Sequence, residues 1–393
     1  MKNVRFGIIG LGNMGSHHAR QIPTVAGAAL TAVCDIDAAK LKKFTTELGV
    51  PGFASHRELL DSGLVDAIVI AVPHYDHVPI AIDAFGKNVH VLCEKPLAVS
   101  VKAARQVAEE YKKHPHLKFG IMFQMRTSPM YRKLRDVITS GELGEISRIT
   151  WLVTNWFRTW TYYASGGWRA TWKGEGGGTL INQCPHNLDM IQWVTGGMKP
   201  SRVTAVGFVG KTHPIETEDE MSAILEYPNG AIGHFVTSTG EAPGTNRLEI
   251  AGERGKIVCE GGKLTFTRTR KGVQEVNRTS PESFATLETW VMEIPHEGTT
   301  ESHKLVTERF VETVLKDLPN ASLIAEGTEG VHGLEIGNAM MMAGLTRVPV
   351  SLPVDGDAFD AFIEDMHKKY GGKKTLETKE AASVNLMGSF QRT

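Results

Sequence analysis

Apolar and polar positions along this chain repeat with two different patterns, and the change of pattern divides it into two halves. In the first half, apolar runs that break at glycine or proline alternate with helical spacing. Strands are expected at residues 4–9, 29–34, 66–72, 89–93 and 118–123, and helices at 13–21, 38–48, 57–62, 77–85 and 100–112. The run Asp66-Ala-Ile-Val-Ile-Ala-Val72, closed by Pro73, is continuously apolar, as a parallel strand covered on both faces requires. In the second half, a helix at 130–140 precedes a long strand near Ile146. Residues 202–210, 221–227, 231–238, 246–251, 255–260 and 263–268 then alternate apolar with polar, joined by turns such as Pro228-Asn229-Gly230. The expected fold is therefore α/β: an N-terminal doubly wound parallel sheet plus a C-terminal α+β domain with a large, mostly antiparallel, open-faced sheet. The domains fall at 1–124 and 125–370. Helices at 303–316 and 326–347 are expected to return over the first domain, and 371–393 is a polar tail, with an oligomer arm as its one candidate role.

Composition narrows this picture. Two domains suit 393 residues, and 43 Lys plus Arg against 44 Asp plus Glu leave no broad field for nucleic acid or an anionic membrane. Cys34, Cys93, Cys184 and Cys259 form neither a pair motif nor a zinc spacing, so reduced thiols, no metal and a cytoplasmic setting are expected. The chain opens on a strand rather than a charged-then-apolar leader, and no apolar run approaches the ~18 residues of a membrane span.

Chemistry concentrates at the ends of the predicted strands. Gly10, Gly12 and Gly15 follow the first strand at dinucleotide-binding spacing: Gly10 for the turn, Gly12 for backbone approach to a pyrophosphate, Gly15 for helix packing. Asn13 and Met14 open the next helix, whose positive end faces the phosphates. With 41 glycines in the chain the triplet alone is weak; Asp35, at the end of the second strand, strengthens it. A carboxylate there accepts ribose hydroxyls and repels a 2′-phosphate, which selects NAD. Glu94-Lys95-Pro96 ends another strand and projects an ammonium able to stabilise an alkoxide; alone, it also reads as a solvated lysine. Six of seven tryptophans, Trp151, Trp156, Trp160, Trp168, Trp172 and Trp193, crowd one stretch, either packing the core or covering a sugar ring. In Gly174-Glu-Gly-Gly-Gly-Thr-Leu-Ile-Asn-Gln-Cys-Pro-His-Asn-Leu-Asp189, Asn182 is expected to cap a helix and share a face with His186. Asp189 either holds the His186 ring or faces solvent.

The glycine turn, Asp35, Pro73 with His77 four residues on, and Glu94-Lys95-Pro96 together resemble the glucose-fructose oxidoreductase / inositol dehydrogenase / rhizopine-catabolism family over nearly the whole chain. The resemblance implies a catalytic Lys95, often before a cis proline, and His186 as general base. Asn182 stands where most members carry aspartate and orients the substrate hydroxyl. His77 packs under the cofactor, Pro73 and Glu94 border it, and Arg126, at the crossing between domains, is expected to contact substrate. Arg158, Trp160, Tyr163, Trp168 and Arg169 lie in elements resembling a glycoside 3-oxidising subgroup and are expected to contact substrate; the resemblance also makes Asp219, in the charged run 218–220, structural. The implied activity is an NAD-dependent dehydrogenase for a sugar, glycoside or cyclitol, working as a homodimer or homotetramer. A redox-assisted glycoside-cleaving enzyme, an inositol dehydrogenase and a non-catalytic sugar sensor are the alternatives, and retention of Lys95 with His186 speaks against the last.

Overall fold

The computed structural model describes residues 2–377. Strands β1 (Val4–Ile9), β2 (Ala28–Cys34), β3 (Gly52–Phe53), β4 (Ala67–Ile70), β5 (His90–Cys93) and β6 (Phe119–Ile121) pair in the order β3-β2-β1-β4-β5-β6. Every pairing in this sheet is parallel. Chain order reverses between β1 and β4, and at such a switch point the loops beyond the strand ends open a crevice. Gly10, Asp35, Pro73 and Glu94 all stand just past strands of this sheet.

The second sheet holds β7 (Ile146–Val153), β8 (Arg202–Val209), β9 (Glu218–Glu226), β10 (Ile232–Ser238), β11 (Asn246–Gly252), β12 (Gly255–Glu260), β13 (Lys263–Thr269), β14 (Thr289–Glu293) and β15 (Val350–Ser351). Their order is β14-β13-β12-β11-β7-β10-β9-β8-β15, antiparallel except for β7 with β10. Burial alternates along these strands: in β8, Val203 and Ala205 face inward, while Val206 and Phe208 are exposed. β14 was not anticipated, because all five of its residues are exposed and leave no alternation to read.

Two helices connect the halves. Helix His303–Leu315 sends Val306, Phe310 and Val311 into the core beneath β1, with Val4, Phe6 and Ile8. Helix Gly330–Thr346 was expected over the first domain as well. It instead packs chiefly on β8 and on helix Pro185–Trp193, because buried apolar residues surround most of its circumference and suit a central slab.

Residues 174–189 differ from expectation. Two helices form, Thr179–Asn182 and Pro185–Trp193, and Cys184 rather than Asn182 holds the N-cap position of the second. Pro185 accounts for the break, since it opens a helix well but has no N–H to continue the one before. The first helix is capped by Glu218, whose carboxylate accepts the N–H groups of Gly178 (2.8 Å) and Leu180 (3.0 Å). The charged run 218–220 is thus not solvated at its start: Glu218 and Asp219 are buried. Asp219 gathers the N–H groups of Lys211, Thr212 and His213 at the head of β9.

Candidate active site

The glycine turn shows what each glycine is for. Gly10 has φ +89°, and a Cβ on Gly15 would lie 1.7 Å from the Gly10 carbonyl oxygen. At Gly12 a Cβ would meet nothing within 4 Å, so the turn is open on the side a pyrophosphate would take. Helix Asn13–Gln21 has no acid in its first turn to compete for that place. Asp35 is fixed beside the turn, accepting the N–H of Leu11 (2.6 Å) and of Asp37 (2.8 Å). These residues fit a dinucleotide.

The floor of the crevice lies at the ends of β4 and β5. Pro73 leads into the short turn His74–Asp76, and His77 opens helix His77–Gly86. The buried His77 ring sits between the carbonyls of Pro96 (2.7 Å) and Val72 (2.9 Å), so it ties the two strand ends together. Burial pushes the Glu94 carboxyl up, but hydrogen bonding and charge from His18, 2.7 Å away, outweigh it and hold Glu94 at about 2. The Lys95–Pro96 bond is cis. Burial lowers the Lys95 pKa, with Glu94 opposing, and its ammonium donates to the Asn182 carbonyl at 2.8 Å.

Around Lys95 the second domain builds a continuous polar network. The Asn182 amide donates to the Glu175 carboxylate, and its Oδ1 accepts from the Tyr162 hydroxyl at 3.2 Å. Tyr162 accepts from Arg169 (2.7 Å) and Gln183 (3.0 Å). Glu175 also accepts the Ala170 N–H at 2.5 Å and lies 3.7 Å from Arg169; burial raises its pKa, with Arg169 opposing. Arg158 stacks over Trp156 and Tyr162, and Arg169 over Tyr162 and Trp168, which gives one wall of alternating cations and rings. The edge of Trp168 meets His74, whose Nδ1 donates to the Glu175 carbonyl.

His186 is buried beside Gln124, whose amide nitrogen lies 2.9 Å from its Nε2; its Nδ1 has no protein partner. Burial first, and the Lys95 charge second, hold its pKa well below 6.5 and keep the ring neutral.

Some expected contacts are corrected. Arg126, expected at the substrate, is buried and commits its guanidinium to Asp189 (2.7 and 2.6 Å) and Glu329 (2.7 Å) between Phe123 and Trp193. Asp189 therefore neither holds His186 nor faces solvent. Tyr163 is core: its hydroxyl donates to Thr239 (2.8 Å) and its ring meets His213. Successive residues of helix Trp160–Ala164 diverge by about 100°, so Tyr162, and not Tyr163, reaches Asn182. Trp160, on the same helix, is 60 % exposed and outside the network. Trp151 and Trp172 are fully buried core. Gln124, Tyr162, Glu175 and His18 were not singled out as site residues; only Glu175 carried a signal, as the one acid within the Gly-Glu-Gly-Gly-Gly run. Among the described residues no group of three His, Cys, Asp or Glu is placed to hold a metal, and no helix is long and apolar enough to cross a membrane.

Comparison with known proteins bears on the family and the fold. Residues 4–120 match the oxidoreductase family with an NAD-binding Rossmann fold, and residues 131–258 match the GFO/IDH/MocA C-terminal domain. Inositol 2-dehydrogenase of Corynebacterium glutamicum is 27 % identical over 241 residues, covering 59 % of this chain and 66 % of that protein. Rhizopine catabolism protein MocA of Rhizobium meliloti is 31 % identical over 199 residues, covering 50 % and 58 %. The match thus spans less than two thirds of either relative. Among solved structures, the WlbA dehydrogenase of Chromobacterium violaceum, in complex with NADH and UDP-GlcNAcA, superposes with TM-score 0.76 at 25 % identity, over 90 % of this chain and 97 % of that one. Myo-inositol 2-dehydrogenase of Lactobacillus plantarum, at 21 % identity and TM-score 0.68 over 90 % and 100 %, shares the fold.

Proposed function

Since the chain belongs to the GFO/IDH/MocA family of oxidoreductases, we propose that it is an NAD-dependent dehydrogenase acting on a secondary hydroxyl of a sugar, glycoside or cyclitol. The observation that carries this reading is the buried neutral imidazole of His186, with Nδ1 unpartnered, under the charge of Lys95. NAD bound at the glycine turn supplies the hydride acceptor. Asp35 meets the ribose hydroxyls, and its neighbours Ile36 and Asp37 provide no cation for a 2′-phosphate.

The proton chemistry then falls to this chain. His186 takes the hydroxyl proton on Nδ1, which requires its other nitrogen to carry the hydrogen and donate it to the Gln124 side-chain oxygen. That oxygen is itself buried without a partner, and exchanging the two terminal atoms of the Gln124 amide makes the bond. Lys95 stabilises the alkoxide as the proton leaves. Asn182, held by Glu175 and Tyr162, orients the hydroxyl, and Trp168 with Arg158 and Arg169 borders the sugar ring. The resemblance to 3-oxidising members points to the 3-hydroxyl of a glycoside, whereas the inositol 2-dehydrogenase relatives point to a cyclitol. A second copy of the chain covers the open sheet face.

A panel of glucosides, inositols and free sugars, scored for NADH formation with the new carbonyl located by NMR, tests the reading. NADH formation with at least one member is expected; none with any member overturns it.

A further inference from the structure

We propose that Lys374 is a positioning residue for the sugar site, on a strap at residues 372–376 that holds the turn 166–170 in its substrate-ready shape. The proposal rests on the dehydrogenase reading only for the identity of the ligand.

Turn 166–170 carries Trp168 and Arg169 and has little bonding of its own: the Arg169 N–H donates to the Gly166 carbonyl at 3.3 Å, and the Thr171 hydroxyl donates to the Trp168 carbonyl at 2.7 Å. Ala170 has φ +52°, the left-handed region that residues with a Cβ adopt at a cost. Such a conformation persists only where its surroundings over-determine it. Two anchors hold Ala170 itself: Glu175 accepts its N–H, and the Glu216 N–H donates to its carbonyl at 3.2 Å. The others come from the far end of the chain. After helix Gly356–Tyr370, Gly372 at φ +77° reverses the backbone, and its N–H donates to the Glu216 carboxylate at 2.8 Å. Lys374 then places its ammonium on the carbonyls of Gly166 (3.0 Å) and Arg169 (2.8 Å). Leu376 packs against the cluster of Tyr162, Tyr163, Ala170 and Ile215.

These contacts lead straight into the pocket. Fixing the Arg169 backbone fixes its guanidinium on the Tyr162 hydroxyl, and Tyr162 in turn holds Asn182 beside Lys95. Lys374 never reaches the reacting atoms on this path, so its effect belongs to substrate binding rather than to the chemical step. A lone ammonium on two carbonyls is also a joint that a side chain of equal length without donors removes cleanly.

The test uses the full chain as Lys374→Met and Lys374→Arg. In Lys374→Met, amides of residues 166–170 should exchange hydrogen at least about tenfold faster than in the unmodified protein. KM for the sugar identified by the panel should rise about tenfold, with kcat and NAD affinity within about twofold. Lys374→Arg should restore both, since a guanidinium offers donors to the same carbonyls. Unchanged exchange at 166–170 in Lys374→Met overturns the strap. So does a parallel fall of kcat, NAD affinity and thermal stability, the mark of a merely structural lysine. Should the panel yield no substrate, the dehydrogenase reading fails, while the exchange measurement still decides the strap.

Discussion

A general base needs a lone pair facing its substrate, and in the role proposed for His186 the atom that would grant it belongs to Gln124. Removing the imidazole is expected to lower kcat/KM by at least about 10², and NAD affinity, measured by calorimetry, should be unchanged in His186→Ala. Lys95 acts on the same ring through its charge. In the proposed mechanism the base is the neutral imidazole; burial and the Lys95 charge hold its pKa below 6.5, and losing the nearby ammonium makes protonation easier. The acidic limb of the kcat/KM profile should therefore lie below pH 6.5 in the unmodified protein and move upward in Lys95→Met. A limb that stays put would show that the two groups do not share a site. Lys95 and His186 were legible in the sequence because each stands beside local markers, Pro96 in one case and a glycine run in the other. Tyr162 was passed over for Tyr163 because a one-residue error in the phase of a five-residue helix exchanges core for pocket. Arg126 looked like a free cation because its partners Asp189 and Glu329 are distant in sequence, and Gln124 is 62 positions from the ring it faces.

At the level of elements, the ends of strands and helices set the chemistry. Asp35 is held against the glycine turn by the Leu11 N–H, where in the proposed function it meets the ribose of NAD. Asp35→Ala should reduce the preference for NAD over NADP by about tenfold or more, read by titrating both cofactors; an unaltered ratio would remove Asp35 from the cofactor site. Arg126 joins the turn Gln124–Thr127 to helix Pro185–Trp193 through Asp189. Arg126→Met leaves Asp189 as a buried unpaired carboxylate and should cost about 3–5 kcal/mol in chemical denaturation, with Arg126→Met/Asp189→Leu recovering much of it. Apolar runs made the parallel strands readable except the two-residue β3, which is too short to form one, and alternation did the same for β8 to β13. The short helix Thr179–Asn182 was not readable, because the buried Glu218 that caps its start arrives from β9, distant in sequence.

The molecule is asymmetric: among the described residues, one sheet is covered on both faces and the other on only one. Helix Gly330–Thr346 covers the inner face of the second sheet, while Val206, Phe208, Ile224 and Ile232 stand 43–48 % exposed on the outer face. Strand register sets them on one diagonal: Val206 pairs with Ser222 and Ile232 with Glu226, each two residues from Ile224 on β9, and Phe208 follows Val206 on the same face of β8. Contiguous exposed apolar surface on a sheet face marks an association site. Arg202 and Glu226, on β8 and β9, offer both signs of charge beside the patch, as a self-complementary contact between two copies can use. A net charge of -1 adds no long-range repulsion between copies. Each aromatic or branched side chain withdrawn from water contributes about 1.5–3 kcal/mol when fully buried, so two acidic replacements at the centre should suffice to separate the copies. The chain is expected to sediment as a dimer or larger at micromolar concentration. Phe208→Glu/Ile224→Glu should sediment as a monomer that keeps its NAD affinity, because the patch lies on the second sheet and the glycine turn on the first. Monomeric behaviour of the unmodified chain would exclude a second copy from this face.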